Sequence, residues 1–467
     1  MKVEQLYTNC LAQGAYYLES NGEAAIIDPL REVEPYLQMA EERGAKIKYV
    51  FETHFHADFV SGHLDLAKKT GAAIVFGPNA QAGYPIYRGE DDEIFELGDL
   101  KIKLLHTPGH TMESTTYLLL DAEGKEHAIF TGDTLFIGDV GRPDLAVKTH
   151  LSQEDLAGHL YESLWTKIMP LADEVVVYPG HGAGSACGKN MSKETTDLLG
   201  NQKRTNYALQ QMPKEEFVRQ VTDGLMPPPQ YFPKNVAMNK MGYDSIDDVM
   251  ERGQNALSLA DFEQKIQEGA LILDCRTAQD FNKGFIKNSL NIGLGGSFAP
   301  WVGTLIADIK QPLVLLTEAG REEEAVMRLA RVGYDHALGY LEGGFETWKN
   351  SGKAYEQIES ISADEFANRM KNSTLDVLDV RKNSEFLSER VVGAENMPLD
   401  YLSENLRSLD KNKTYYVHCA GGYRSMVACS ILRQNGYQNV IDVAGGFSAI
   451  SKTDVEKTAY VCPSTLV

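Results

Sequence analysis

Residues Thr53 to His63 read T-H-F-H-A-D-F-V-S-G-H. Just upstream, Ile47 to Phe51 alternates and then turns apolar, as a buried strand does. The imidazoles and the carboxylate of this stretch therefore stand where a strand runs out into a loop, the usual place for a built site. The pattern returns three times downstream. His110 lies in Thr107-Pro-Gly-His-Thr111, Asp133 in Thr131-Gly-Asp-Thr134, and His181 in Tyr178-Pro-Gly-His-Gly182. Each follows an apolar run and carries Gly or Pro beside it. Donors of this type at successive strand ends point to a metal centre. His63 is expected to end the loop or to cap the next helix, and His106, His127, His150 and His159 read as ordinary histidines.

The series H-x-H-x-D, then H, D and H, resembles the metallo-β-lactamase superfamily over roughly the first half of the chain. The resemblance implies an αββα sandwich. In two-metal hydrolases of that superfamily, such as glyoxalase II, the first motif ends in D-H. Here the last place holds Phe59, which has no lone pair for a metal. A second ion would need Asp58, position 59, Asp133 and His181, so that set is one ligand short. His54, His110 and Asp133 form instead a two-histidine, one-carboxylate set that leaves open positions on Fe(II). His56, Asp58 and His181 are expected to orient the ligands by hydrogen bonds.

The run Thr131 to Leu145, T-G-D-T-L-F-I-G-D-V-G-R-P-D-L, is similar to the persulfide dioxygenase branch. That likeness implies one Fe(II) per chain. It also implies oxidation of a low-molecular-weight thiol persulfide by O2 to sulfite and thiol. His54, His110 and Asp133 match the branch's iron ligands, Tyr178 a tyrosine behind them, and Arg142 and Asp144 the segment that shapes the pocket. Relatives of the mitochondrial type keep a histidine where Phe59 stands, and this chain departs from them there. Cys187, in Gly182-Ala-Gly-Ser-Ala-Cys-Gly-Lys189, is expected near the mouth of this site. Lys189 beside it is expected to lower the thiol pKa, so that Cys187 can handle incoming persulfide.

The second half of the chain is a repeat. Leu271-Ile-Leu-Asp-Cys-Arg276 answers Asp376-Val-Leu-Asp-Val-Arg381, Gly333-Tyr334 answers Gly436-Tyr437, and Leu341-Glu-Gly-Gly-Phe345 answers Val443-Ala-Gly-Gly-Phe447. The offset holds between 102 and 105 residues, which coincidence would not maintain. Each copy is expected to be a small doubly wound parallel sheet. The repeat resembles the rhodanese domain, a sulfurtransferase module. In the second copy an apolar strand leads into Cys419-Ala-Gly-Gly-Tyr-Arg424 and then a helix. A thiol so placed is ringed by backbone N–H groups at a helix start, and Arg424 is placed to add charge. Gly421, Gly422 and Tyr423 are expected to line the loop that meets substrate. In the first copy the offset sets Leu316 opposite Cys419, and shifts of one or two give Thr317 or Glu318. The arginine persists as Arg321 but no thiol does, so the first copy is expected to be inactive. Gly445-Gly446 reads as a turn before the last helix.

The composition bounds the rest. A chain of 467 residues suits about three domains, and the boundaries read as 1–245, 253–355 and 356–467. The proline-dense Met226 to Pro233 is the linker candidate, running extended before a short helix near Ser245 to Arg252. A net charge of -21 argues against nucleic acid or an anionic membrane as a partner. The first residues lack the apolar stretch of a signal peptide, and no run approaches a membrane helix, so a cytoplasmic protein is expected. Six scattered cysteines read as free thiols, with Cys275 and Cys429 in cores and Cys10 and Cys462 unassigned. A symmetric homo-oligomer is expected from size. The full architecture resembles fusions of a persulfide dioxygenase with a degenerate and an active rhodanese domain. It implies that sulfite made at the iron takes a sulfane sulfur from Cys419 to become thiosulfate. The alternatives are a dinuclear zinc thioester hydrolase fused to a sulfurtransferase, and a sulfur carrier that oxidises nothing.

Overall fold

The computed structural model describes residues 1–146, 151–225 and 227–462, so His150 and Met226 lie outside the described residues. The chain forms two compact units. One is Met1–Asp248 with Ala330–Gly333, and the other is Val249–Leu329 with Tyr334–Val467.

The first unit is built on two six-stranded sheets. One runs in chain order through Lys2–Thr8, Gln13–Ser20, Glu23–Ile27, Lys46–Phe51, Ala73–Phe76 and Tyr87–Arg88. The other runs through Ile94–Leu97, Leu100–His106, Thr115–Leu120, Glu126–Gly132, Val176–Pro179 and Asp197–Leu198. Alternation along each strand explains the layering. Leu18, Ala25, Ile27 and Phe51 of the first sheet meet Leu104, Tyr117, Leu119, Ala128 and Phe130 of the second in one core. The residues between them point the other way. Tyr17, Ala24, Ile26 and Val50 pack with Tyr36, Ala40 and Leu66 of the helices Glu34–Arg43 and His63–Thr70. Leu118, Ile129 and Val177 pack with Leu160, Phe217 and Val221 of the helices Gln153–Ser163 and Lys214–Thr222. The inner strands are thus covered on both faces and read as near-continuous apolar runs, as in Glu23–Ile27 and Thr115–Leu120, whereas Ile94–Leu97 and Leu100–His106 alternate buried with more exposed residues.

The proline-dense stretch does not mark a boundary. Pro233 sits in the first turn of a helix, Phe232–Met241, where its missing N–H costs nothing. That helix belongs to the first unit and braces the His54–His63 loop from behind. Asn239 Nδ2 donates to His56 O and Phe59 O, both at 2.8 Å, and Ser61 N donates to Asn239 Oδ1 at 3.0 Å. The short helix expected after it spans Ile246–Gly253.

The second unit contains the repeat as two five-stranded parallel sheets of the same order. In the first copy the order is Ala256–Leu257, Ala337–Leu341, Leu313–Leu316, Leu271–Asp274, Leu290–Asn291. In the second it is Glu359–Ile361, Val440–Val443, Tyr415–His418, Asp376–Asp379, Glu395–Asn396. The D-x-R strand ends form one staple twice. Arg276 forks onto Asp274 and reaches Gly284 O at 2.9 Å, and Arg381 forks onto Asp379 and reaches Glu389 O at 2.8 Å. Each guanidinium lies over the ring of the G-G-F phenylalanine, Phe345 at 4.4 Å and Phe447 at 4.1 Å. Breaking a buried bidentate pair of this kind costs about 3–5 kcal/mol, which explains why both copies hold it. Among the described residues no helix is long and apolar enough to cross a membrane.

Candidate metal centre and candidate thiol loop

Each metal-ligand candidate lies just past the C-terminal end of a strand, His54 on the first sheet and His110, Asp133 and His181 on the second. The strands Glu126–Gly132 and Val176–Pro179 pair in parallel with Gly132 opposite Pro179, so Asp133 and His181 emerge side by side. Gly180 N donates to Gly132 O at 2.8 Å. A Cβ on Gly180 would stand 2.7 Å from Asp133 Oδ1, so this approach needs glycine. His54, His110 and Asp133 gather with donor atoms within 4.8 Å of one another, all buried. Asp133 Oδ2 is 3.5 Å from His110 Nε2 and 4.0 Å from His54 Nε2. These gaps exceed a hydrogen bond and suit donors that each stand about 2.1 Å from one shared ion.

The protonation pattern fits that use. His110 Nδ1 lies 2.8 Å from Arg142 O, a carbonyl that can only accept. His54 Nδ1 lies 3.0 Å from Thr53 Oγ1, whose own hydrogen goes to Asp28 Oδ2 at 2.8 Å. Both rings must therefore carry the proton on Nδ1 and turn the Nε2 lone pair inward. Burial, with His56, His110 and His181 around it, keeps His54 neutral well below the usual range. Both oxygens of Asp133 are buried with no hydrogen-bond partner among the described residues, a costly state for a carboxylate unless a cation satisfies it.

The residues expected only to orient these ligands behave otherwise. His181 Nε2 lies 3.5 Å from Asp58 Oδ2 and 3.6 Å from Asp133 Oδ1, and its Nδ1 faces Ala12 O at 3.3 Å. His181 Nε2 and Asp58 Oδ1 are buried without hydrogen-bond partners among the described residues. They are a second donor group beside the first. Cys187 Sγ joins Asp133 and His181 within the same 4.8 Å limit. His56 also offers a donor atom within 4.8 Å of those of Asp58 and His181, while its Nε2 lies 3.1 Å from Asp28 and 3.3 Å from Glu52 and Phe59 stacks on it at 4.3 Å. Burial opposes charge on His56, but Asp28 and Glu52 overcome it and hold the ring protonated well above its usual range.

Other expectations need correction. Lys189 does not face Cys187, because its ammonium donates to Gln220 O at 2.6 Å and Asp223 O at 3.0 Å. Cys187 is 2 % exposed rather than at a mouth, and burial, with Asp58 and Asp133 nearby, pushes its thiol well up instead of down. Tyr178 belongs to the layer between the sheets, where its ring stacks on Phe130 at 5.2 Å and meets Tyr16 edge-on at 5.3 Å. Arg142 forks onto Asp144, and it also grips the Cys187 loop through Ala186 O at 3.1 Å and Cys187 O at 3.0 Å. Arg142 thereby ties the Cys187 loop to its own segment. His63, at the start of its helix, faces Glu52 at 3.1 Å and Tyr84 Oη at 2.7 Å.

In the second unit Cys419 follows the strand Tyr415–His418 and is 1 % exposed. Gly422 N donates to its sulfur at 3.1 Å, with Gly422 at φ +101, a conformation that favours glycine. Gly421 is open and makes no such demand. Arg424 lies in the first turn of the helix Tyr423–Gln434, but its guanidinium is forked onto Glu385 at 2.6 and 2.8 Å, so its charge reaches the loop already paired. Tyr423 donates its hydroxyl to Gly293 O of the first copy at 2.8 Å. The strand register settles the partner of Cys419. Cys275 N bonds Leu316 O as Val380 N bonds His418 O, so the residue after Leu316, Thr317, stands in the thiol's place.

Sequence reasoning did not find Asp28, Glu52 or Asn239. Asp28 left one signal, a D-P pair ending the strand Glu23–Ile27, and the other two are ordinary residues until the chain folds.

Comparison with known proteins agrees with this architecture. The family model of the metallo-beta-lactamase superfamily covers residues 9–181, and that of the rhodanese-like domain covers 258–351 and 362–453. The chain belongs to the metallo-beta-lactamase superfamily. Its sandwich is followed by two rhodanese-like domains. A hydroxyacylglutathione hydrolase of Haemophilus influenzae, GloC, is 30% identical over 187 residues, 36% of this chain and 83% of that protein. A cytoplasmic hydroxyacylglutathione hydrolase of Arabidopsis thaliana is 33% identical over 177 residues, 37% of this chain and 65% of the relative. The chain spans 58 to 65% of the first curated relatives it matches. A crystal structure of a metallo-beta-lactamase from Staphylococcus aureus subsp. aureus COL is 29% identical, with a TM-score of 0.64 over 73% of this chain and 98% of that one.

Proposed function

We propose that this chain is a non-haem Fe(II) persulfide dioxygenase joined to a thiosulfate-forming sulfurtransferase, acting in sulfide detoxification. The reading rests on one observation: a two-histidine, one-carboxylate trio with Phe59 beside it shares a chain with a thiol cradled by a glycine loop. His54, His110 and Asp133 would hold one ferrous ion, which when bound supplies the electrons that activate O2 beside a persulfide sulfur. The chain's own groups do the rest. Arg142 O and Thr53 Oγ1 fix the two rings in the ligating tautomer. The buried Asp133 carboxylate would balance the positive charge of a bound ion. Overall RSSH, O2 and water give RSH and sulfurous acid, where R is a glutathione, coenzyme A, cysteine or bacillithiol residue. A persulfide on Cys419 then gives its outer sulfur to sulfite, leaving the thiolate and thiosulfate. Carriage on one chain keeps sulfite concentrated near its acceptor. A cytoplasmic homo-oligomer is part of the same proposal.

A second reading has its own support. The curated relatives carry the name hydroxyacylglutathione hydrolase, and Asp58 and His181 meet at 3.5 Å as a second pair of donors. It makes the first unit a dinuclear zinc thioester hydrolase. Metal analysis with an oxygen-electrode trace on glutathione persulfide and coenzyme A persulfide separates the two. One iron per chain and O2 uptake support the dioxygenase, whereas two zincs, no uptake and thiol release from a hydroxyacyl-glutathione thioester support the hydrolase. Persulfide exchange at Cys419 with no oxidised product under any metal would leave only a sulfur carrier. In the first case wild type yields thiosulfate and Cys419→Ser accumulates sulfite.

A further inference from the structure

The two rhodanese-like copies differ in more than the thiol. Groups that hold the fold are the same in both. The Arg276–Asp274 staple answers Arg381–Asp379, and Phe345 answers Phe447. Asn291 Nδ2 bonds the carbonyls of Asp274 and Arg276 just as Asn396 Nδ2 bonds those of Asp379 and Arg381. Four positions change together. Cys419 becomes Thr317, and Ser425, after the loop arginine, becomes Glu322. The paired strand residues Ser360 and Asp442 become Ala256 and Tyr340, at the same place in the ladder.

In the second copy those four residues form one chain of contacts. The Cys419 thiol donates to Ser425 Oγ at 3.7 Å, and Ser425 Oγ donates to Asp442 Oδ1 at 2.7 Å. Ser360 Oγ donates to Asp442 Oδ2 at 2.8 Å. Cys419, Ser425 and Asp442 are 1, 0 and 3% exposed, so a proton leaving the sulfur needs an acceptor inside the protein. Gly422 N–H and the Arg424 guanidinium can only donate. The Cys429 thiol, on the same helix, is itself buried and held protonated by burial and by Asp442. His418, Asp379 and Arg381 line the adjoining strand end, and the latter two hold each other. Glu385 is committed to Arg424.

We propose that Ser425 and Asp442 form an internal proton relay that deprotonates Cys419 as it attacks a sulfane sulfur. The Cys419 proton passes to Ser425 Oγ while the Ser425 hydroxyl proton passes to Asp442 Oδ1. The thiolate displaces RS⁻ from RSSH, so one S–S bond forms, one breaks, and no net oxidation occurs. RS⁻ takes a proton from solvent, and Asp442 later returns its own. Ser360 positions the carboxylate. Burial raises the Asp442 carboxyl above its ordinary value, which suits a proton acceptor. The relay explains why the inactive copy lost all four groups while keeping its scaffold. The inference deepens the sulfurtransferase half of the proposed function and rests on it.

The test uses the full chain with Ser425→Ala, Asp442→Asn and Ser425→Thr. Cys419 is followed by peptide mass spectrometry from pH 6 to 10, for persulfide formation with glutathione persulfide and, separately, for alkylation by iodoacetamide. The relay predicts that Ala and Asn react at least about tenfold slower than wild type at neutral pH. Their deficit closes at high pH, where hydroxide removes the proton, and Ser425→Thr restores the rate. A deficit that is equal at every pH, no deficit, or a faster Asp442→Asn at low pH (the carboxylate acting only as a charge) overturns it. The iodoacetamide arm needs no sulfur transfer. A relay pattern there without any persulfide formation refutes the sulfurtransferase reading and leaves the relay standing.

Discussion

Replacing Thr53 by valine removes one oxygen atom and leaves the volume almost unchanged. That oxygen donates to Asp28 Oδ2 at 2.8 Å and accepts from His54 Nδ1 at 3.0 Å. Asp28, Thr53 and His54 are 1, 1 and 2% exposed, so water does not replace it. Valine strands a carboxylate oxygen and an imidazole N–H, each at about 1–3 kcal/mol. His54 can relieve part of this by moving its proton to Nε2, which removes the lone pair that faces Asp133. Loss of such an outer partner weakens a metal site by about 10–100-fold, or about 1.4–2.7 kcal/mol. The assay is anaerobic Fe(II) titration of wild type, Thr53→Val and Thr53→Ser against a chromophoric chelator at fixed pH. Serine keeps the hydroxyl and should stay within about threefold of wild type, since only a methyl is lost. Unchanged affinity in Thr53→Val would refute the tautomer reasoning, and equal losses in valine and serine would show that packing alone is at stake.

Asn239→Ala removes three buried hydrogen bonds to the His54–His63 loop, at about 2–4 kcal/mol. Hydrogen exchange of a peptide spanning that loop should speed up markedly, and unchanged protection would contradict the brace. Glu385 is half-buried, and burial alone would raise its carboxyl, but the Arg424 guanidinium holds it below the usual range. The pair therefore stabilises above the ordinary glutamate range of about 4.3, and this is lost as pH falls through the lowered value. Because both groups are partly exposed, the gap between wild type and Glu385→Gln should be about 0.5–1 kcal/mol at pH 7 and shrink below about pH 4 in denaturant melts. A gap that widens in acid would reverse the sign argument. Phe59→His restores the D-H ending of the first motif and should raise the metal-to-chain ratio from one toward two by elemental analysis; a ratio held at one would mean that position 59 does not limit the second site.

The sequence alone determined the layer architecture, because strand periodicity and turn residues are local properties. It also determined the repeat, because its markers keep their offset, and the trio, because each of its donors sits just past a strand end beside Gly, Pro or Thr in a recognisable local pattern. Phe59 and Cys419 were legible for the same reason, each being one residue inside a local pattern. What sequence could not show was side-chain direction. Lys189 follows Cys187 by two residues yet is drawn to carbonyls near residues 220 and 223, and Tyr178 precedes His181 yet faces the layer between the sheets. Partners brought from far along the chain were equally hidden. Asn239 lies 183 residues from His56, and Asp28 lies 25 from Thr53. Whether Asp58 and His181 orient ligands or stand as donors depends on hydrogen bonds that exist only after folding. Tertiary structure decided those points because a buried polar atom takes the partner that packing leaves within 3 Å, whatever its neighbour in sequence.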